Sequence, residues 1–158
     1  MRELVLNWSG AHSMSEETPK GFEGKSGLFS IIHDSGIIYI GMAGAGNTVF
    51  RESKRVGKCA VLLQKHGELS KSISYDDAWE YANEHCYRYV GVVAEEIERS
   101  EQLNKLLRNG ENLLIHEINK AIPLYNCKLK NKYLYDRPFK LKNNGRKPAG
   151  LETEYSAL

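Results

Sequence analysis

The stretch from Gly27 to Met42, GLFSIIHDSGIIYIGM, constrains this chain more than any other part of it. Two apolar arms flank His33-Asp34-Ser35-Gly36, and a glycine at that tip supplies the positive φ that a tight hairpin needs. The pattern predicts strands near 27–33 and 36–43, paired antiparallel. Such a hairpin buries little by itself, so other parts of the chain must cover its apolar faces.

The flanking sequence suggests what does so. Arg2 to Trp8 reads as a short additional strand, and Ser13 to Lys25 reads as loop. Asn47 is a suitable N-cap for a helix starting at Thr48, with Val49, Val56, Ala60 and Leu63 on one stripe. Arg51, Arg55 and Lys58 lie on another stripe, Gly57 weakens the middle by about 1 kcal/mol, and Gly67 is a good stop. A second helix is expected over Ser74 to Glu84, with Asp76 and Asp77 at its positive end. Tyr87 to Ala94 has strand composition. Glu95 to Asn109 is helical in period, with Ile97, Leu103, Leu106 and Leu107 inward. Gly110 is expected to break it before a further helix over Glu111 to Ile122, which ends near Pro123.

At 158 residues the chain fits one domain with a sizeable core, and 41% hydrophobic with 27% charged residues excludes a disordered polymer. No apolar run approaches the roughly 18 residues of a membrane span, and the N-terminal stretch lacks a signal-peptide apolar core. Cys59, Cys86 and Cys127 are odd in number and widely spaced, which suits free thiols in a reducing compartment. The expectation is a cytoplasmic protein away from membranes. The net charge of +2 conceals a division, because residues 128–147 carry +7 and the remainder −5. Tyr133, Tyr135 and Phe139 interleave that basic stretch, a combination suited to a phosphate backbone.

Gly27-Leu28-Phe29 and Tyr39-Ile40-Gly41, at hairpin spacing, resemble the paired signature of the GIY-YIG nuclease superfamily. The resemblance extends over about residues 27–126. It implies an α/β (α+β) fold, a small three-stranded antiparallel sheet flanked by helices. The division that follows is an N-terminal extension at 1–25, a nuclease-like domain at 26–127 and a basic C-terminal segment at 128–158.

The implied chemistry is metal-dependent hydrolysis of DNA phosphodiester bonds, of a restriction, phage or mobile-element kind, with Mg²⁺ or Mn²⁺. Tyr39 would orient or deprotonate the water, which requires positive charge to lower a phenol pKa of about 10. Arg51 would clamp the scissile phosphate. Arg55 stands where many relatives have His or Tyr; it can bind phosphate but cannot act as a base. Glu117 is the implied metal ligand, with Glu111 as competitor, and Leu113 to Asn126 resembles the family's helix ending in Pro-x-x-Asn. Six residues along a helix turn Glu111 and Glu117 about 240° apart, so one site cannot use both. Asn126 would support the site from its loop. Lys58, Lys128, Lys130, Lys132, Arg137 and Lys140 are the expected DNA contacts, and restriction-type cutting would favour a homodimer.

Phe29 departs from the tyrosine usual at the end of the first motif and lacks its hydroxyl. With Arg55, it supports an alternative: a weak or inactive relative that binds DNA without cutting it. A third reading, an unrelated interaction protein, predicts that Tyr39, Arg51 and Glu117 do not converge. His33 is expected to be an exposed turn residue.

Overall fold

The computed structural model describes residues 2–16, 19–22, 25–34, 36–43, 63–64, 67, 69–94, 101–120 and 135–158. The strands are β1 (Arg2–Ser9), β2 (His12–Ser13), β3 (Gly27–His33), β4 (Gly36–Ala43), β5 (Cys86–Val93), β6 (Phe139–Arg146) and β7 (Glu154–Ala157). Two helices accompany them among the described residues, α1 (Tyr75–His85) and α2 (Glu101–Asn119). The helix expected from Thr48 lies outside the described residues except for Leu63 and Gln64.

The hairpin forms as its pattern predicts. β3 and β4 pair antiparallel from Gly27↔Ala43 to His33↔Gly36, and Gly36 has φ +124°. β5 pairs antiparallel with the other edge of β3. The sheet does not stop there. β1 runs antiparallel beside β5, β6 parallel beside β1, and β7 antiparallel beside β6, while β2 pairs with β5. The result is a seven-stranded mixed sheet among the described residues, curled into a half-barrel.

This corrects the expected fold. A small three-stranded antiparallel sheet flanked by helices is not what forms, because β1 continues the sheet from β5 and β6 continues it from β1. Residues 2–9 and 139–146, on either side of the 26–127 segment, are neighbouring strands inside one sheet.

Alternation along the strands divides the core in two. On one face Leu4, Leu6, Trp8, Leu28, Ile40, Phe139 and Leu141 pack with Leu103, Leu107, Leu113 and Leu114 of α2. On the other face Phe29, Ile31, Tyr39 and Val90 pack with Ala78 and Ala82 of α1, and with Met14, Leu63 and Leu69. The expected helix near 74–84 is α1. Ser74 caps it by accepting a hydrogen bond from the Asp77 amide at 3.1 Å, and Asp76 and Asp77 occupy the first turn.

α2 also corrects an expectation, since it runs unbroken through Gly110. A Cβ at Gly110 would lie 2.5 Å from Leu4 Cδ2 and 3.1 Å from Leu141 Cδ1. The glycine therefore lets the helix settle closely onto β1 and β6, and that packing offsets its poor helix propensity. Nearby, the buried Asn109 amide clasps the backbone of Asp136. Its Oδ1 accepts from the Asp136 amide at 2.5 Å, and its Nδ2 donates to the Asp136 carbonyl at 3.3 Å. This fixes the approach to β6. Trp8 Nε1 donates to Asn143 Oδ1 at 2.9 Å, tying β1 to β6 with both polar groups buried and satisfied.

The two motif glycines have packing reasons of their own. A Cβ at Gly27 would lie 2.0 Å from the Gly91 carbonyl oxygen, and one at Gly41 would lie 2.3 Å from Phe29 Cζ. Gly27→Ala meets rigid backbone and is expected to cost about 3 kcal/mol or more. Gly41→Ala meets a ring, so its cost should shrink in a Phe29→Ala background. Urea denaturation of the two single variants and the double variant measures that coupling. Additive costs would mean that Phe29 is not the group that excludes a side chain at position 41.

Candidate functional site

Of the residues that the sequence would bring together, Tyr39 and Glu117 belong to elements on different faces of the sheet. Ile31 pairs with Tyr39 and Ile32 with Ile37, so Ile38 is an extra residue in a bulge. The bulge places Ile37 on the α2 face and Tyr39 on the α1 face. There Tyr39 is buried, 9% exposed, with its ring tilted against Phe29 at a centroid distance of 5.6 Å. Glu117 belongs to α2, which packs on the opposite face. Its side chain is 29% exposed, and both of its oxygens accept from Lys120 Nζ at 3.2 Å. Its charge reaches Tyr155 on β7. Burial, chiefly, lifts the Tyr155 phenol above its ordinary range, with the Glu152 and Glu117 carboxylates adding to that rise.

Tyr39 and Glu117 therefore do not share a site. At Glu117 the Lys120 ammonium sits against both carboxylate oxygens. Among the described residues no group of three or more His, Cys, Asp or Glu is placed to hold a metal ion. Arg51, Arg55, Lys58, Asn126, Lys128, Lys130 and Lys132 lie outside the described residues. Glu111 is on α2, half-buried. A cleft of about 470 Å³ lies between the start of β1 and the first turns of α2, lined by Arg2, Glu3, Gln102, Leu103, Lys105 and Leu106. It contains none of the expected site residues.

Of the expected DNA contacts, Arg137 is exposed. Its guanidinium lies 5.1 Å from the Tyr135 ring centroid and donates to the Tyr135 hydroxyl at 3.0 Å and to the Leu158 carbonyl at 3.3 Å. Lys140 is on β6 and reaches Glu154 at 2.9 Å. That hydrogen bond, with the carboxylate's charge, raises its ammonium pKa above the ordinary value. Lys142, on the same strand, lies 3.9 Å from Glu3. Exposed pairs of this kind are worth about 0–1 kcal/mol.

The α1 face holds polar groups that the sequence did not assign to a site. His33 closes β3, is only 7% exposed, and its Nε2 lies 2.9 Å from the Tyr81 hydroxyl. The exposed turn expected for it is corrected: its cross-strand neighbour Cys86 and the overlying α1 bury the ring. His85 Nδ1 meets Asp34 Oδ2 at 2.5 Å, and its ring lies 4.4 Å from that of Tyr81. This cluster fastens the hairpin tip to the end of α1. Arg88 is wholly buried; its Nε donates to His12 Nε2 at 2.8 Å and its Nη2 to the Glu16 carbonyl at 2.8 Å. His12 accepts at Nε2 and so carries its proton on Nδ1, as a neutral imidazole. Arg88, Ile31 and Tyr39 are successive partners across β5, β3 and β4, so two strand spacings, on the order of 10 Å, separate the Arg88 and Tyr39 backbones.

The only signals for these contacts in the sequence were a His-Asp pair at the hairpin tip and a Glu-His ending before a strand. No family model, curated protein or solved structure matches the chain. No helix among the described residues is long and apolar enough to cross a membrane.

The Tyr81–His33 bond predicts a stability effect. Tyr81→Phe removes one hydroxyl from a part-buried pair and should lower stability by about 1–2 kcal/mol. The measurement is the shift in urea midpoint at constant slope. An unchanged midpoint would remove this contact from what holds the tip to α1.

Proposed function

We propose that this chain binds DNA and does not cut it through Tyr39 and Glu117. Tyr39 packs on the α1 face while Glu117 belongs to α2 on the other, which argues against cutting through this pair. An unrelated protein would equally show this, so the observation that carries DNA binding is charge. A phosphate and its metal cannot bridge a strand layer. Phe29, which lacks a hydroxyl, supports the same reading. The case for DNA as the partner rests on the +7 charge of residues 128–147 and on the exposed Arg137 within it, which lies against the half-buried Tyr135 ring. The GIY-YIG resemblance of the hairpin is consistent with such a partner.

One observation favours a second reading, metal-dependent hydrolysis. The Phe29 and Tyr39 rings touch across neighbouring strands, the relation the superfamily signature implies for its two motifs. Arg51, Arg55 and Asn126 belong to that reading.

The test pairs binding with cleavage. Fluorescence anisotropy on a labelled duplex should show binding that weakens linearly in log affinity against log salt. Plasmid incubated with Mg²⁺ or Mn²⁺ should stay intact, and Glu117→Ala should bind within about twofold of wild type, as expected for a side chain engaged by Lys120 rather than by phosphate. Cutting that Glu117→Ala abolishes would overturn the proposal in favour of the nuclease. Absence of binding at low salt would overturn both.

A further inference from the structure

β1, β6 and β7 bury one face only. Phe139, Leu141 and Asn143 point into the α2 side, so Lys140, Lys142 and Asn144 alternate onto the other. Asn7 of β1 is the exposed cross-strand partner of Asn144. Glu3 and Glu154 complete this polar surface. The aromatic residues of these strands, Trp8, Phe139 and Tyr155, are all on the α2 side, so among the described residues these strands present no ring on this surface for a base to stack on.

We propose that this outward face of β1, β6 and β7 is where a DNA phosphate backbone docks, with Lys140, Lys142 and Asn144 taking successive phosphates. The inference rests on the DNA-binding reading above and assigns its surface. Side chains two apart on a strand are roughly 6.7 Å apart, comparable to successive phosphates along one strand of nucleic acid. Lysine ammonium groups supply the charge, and the Asn7 and Asn144 amides supply neutral donors to phosphate oxygens.

Glu154 pairs with Lys140 and Glu3 lies near Lys142, and both carboxylates compete with the ligand. Both ion pairs are partly exposed, and a phosphate oxygen carries the same sign as the carboxylate it displaces. Binding is then an exchange of anions at Lys140 and Lys142, and it reads the backbone rather than the base sequence.

The experiment uses the whole chain and a labelled duplex titrated between 50 and 200 mM salt (about the range over which phosphate contacts are lost). Lys140→Gln with Lys142→Gln should weaken binding about tenfold or more at intermediate salt and reduce the salt slope by about 2. Glu154→Gln should tighten binding several-fold, and Lys105→Gln, on α2, should leave it unchanged. Circular dichroism melting of each variant establishes that the sheet is intact. Wild-type affinity and slope in the double lysine variant would overturn this surface and leave the DNA-binding reading in place. Glu154→Gln binding no tighter than wild type would overturn the anion exchange. A wild-type chain that does not bind would remove the reading underneath.

Discussion

The parallel pairing of β1 with β6 is the constraint on which the rest of the fold depends. It joins Arg2–Ser9 to Phe139–Arg146 residue by residue, and the Trp8–Asn143 hydrogen bond locks the two side by side. Parallel strands cannot be linked by a tight turn, so the intervening chain must leave the sheet and return. α2 covers that return, with Gly110 allowing close approach to Leu4 and Leu141. Ordered by sequence separation, the β3–β4 hairpin is the most local pairing of the sheet and β1–β6 the least. The middle of this sheet is its least local part.

That order explains what the sequence revealed. The hairpin, β5, α1 and β1 each carry a local signal: an apolar run with a turn, β-branched composition, or a capped amphipathic stretch. β6 carries one too, since FKLKNNGR alternates Phe139, Leu141 and Asn143 against Lys140, Lys142 and Asn144. Its lysines make the charge of this segment more conspicuous than its period. Gly110 misled for a related reason, because propensity alone predicts a break where tertiary packing asks for a small residue.

One extra residue sets the face of the sheet on which Tyr39 lies. Ile37, Ile38, Tyr39 and Ile40 are all apolar, so no alternation in the sequence fixes which of them faces which side. A bulge at Ile38 sends Tyr39 to the α1 face, and no pattern in GIIYIG could have announced it. The motif glycines are explained by sterics: Gly27 lets β3 lie against the Gly91 backbone, and Gly41 makes room for the Phe29 ring. Two of the residues that carry the family resemblance are thus required by packing, whether or not the neighbouring tyrosine does chemistry.

The same distinction applies to charge. Counted along the chain, residues 128–147 resemble a basic tail, a flexible polycation whose lysines act independently. Placed on β6, Lys140 and Lys142 become fixed points on a rigid strand, each with a carboxylate from a neighbouring strand. A tail attracts any polyanion at low salt and discriminates little. A rigid row with built-in competing anions favours a ligand whose charges recur at the spacing of the strand. What such a surface gives up in raw affinity it gains in geometric selectivity, because an anion of the wrong spacing displaces one carboxylate and leaves the other in place.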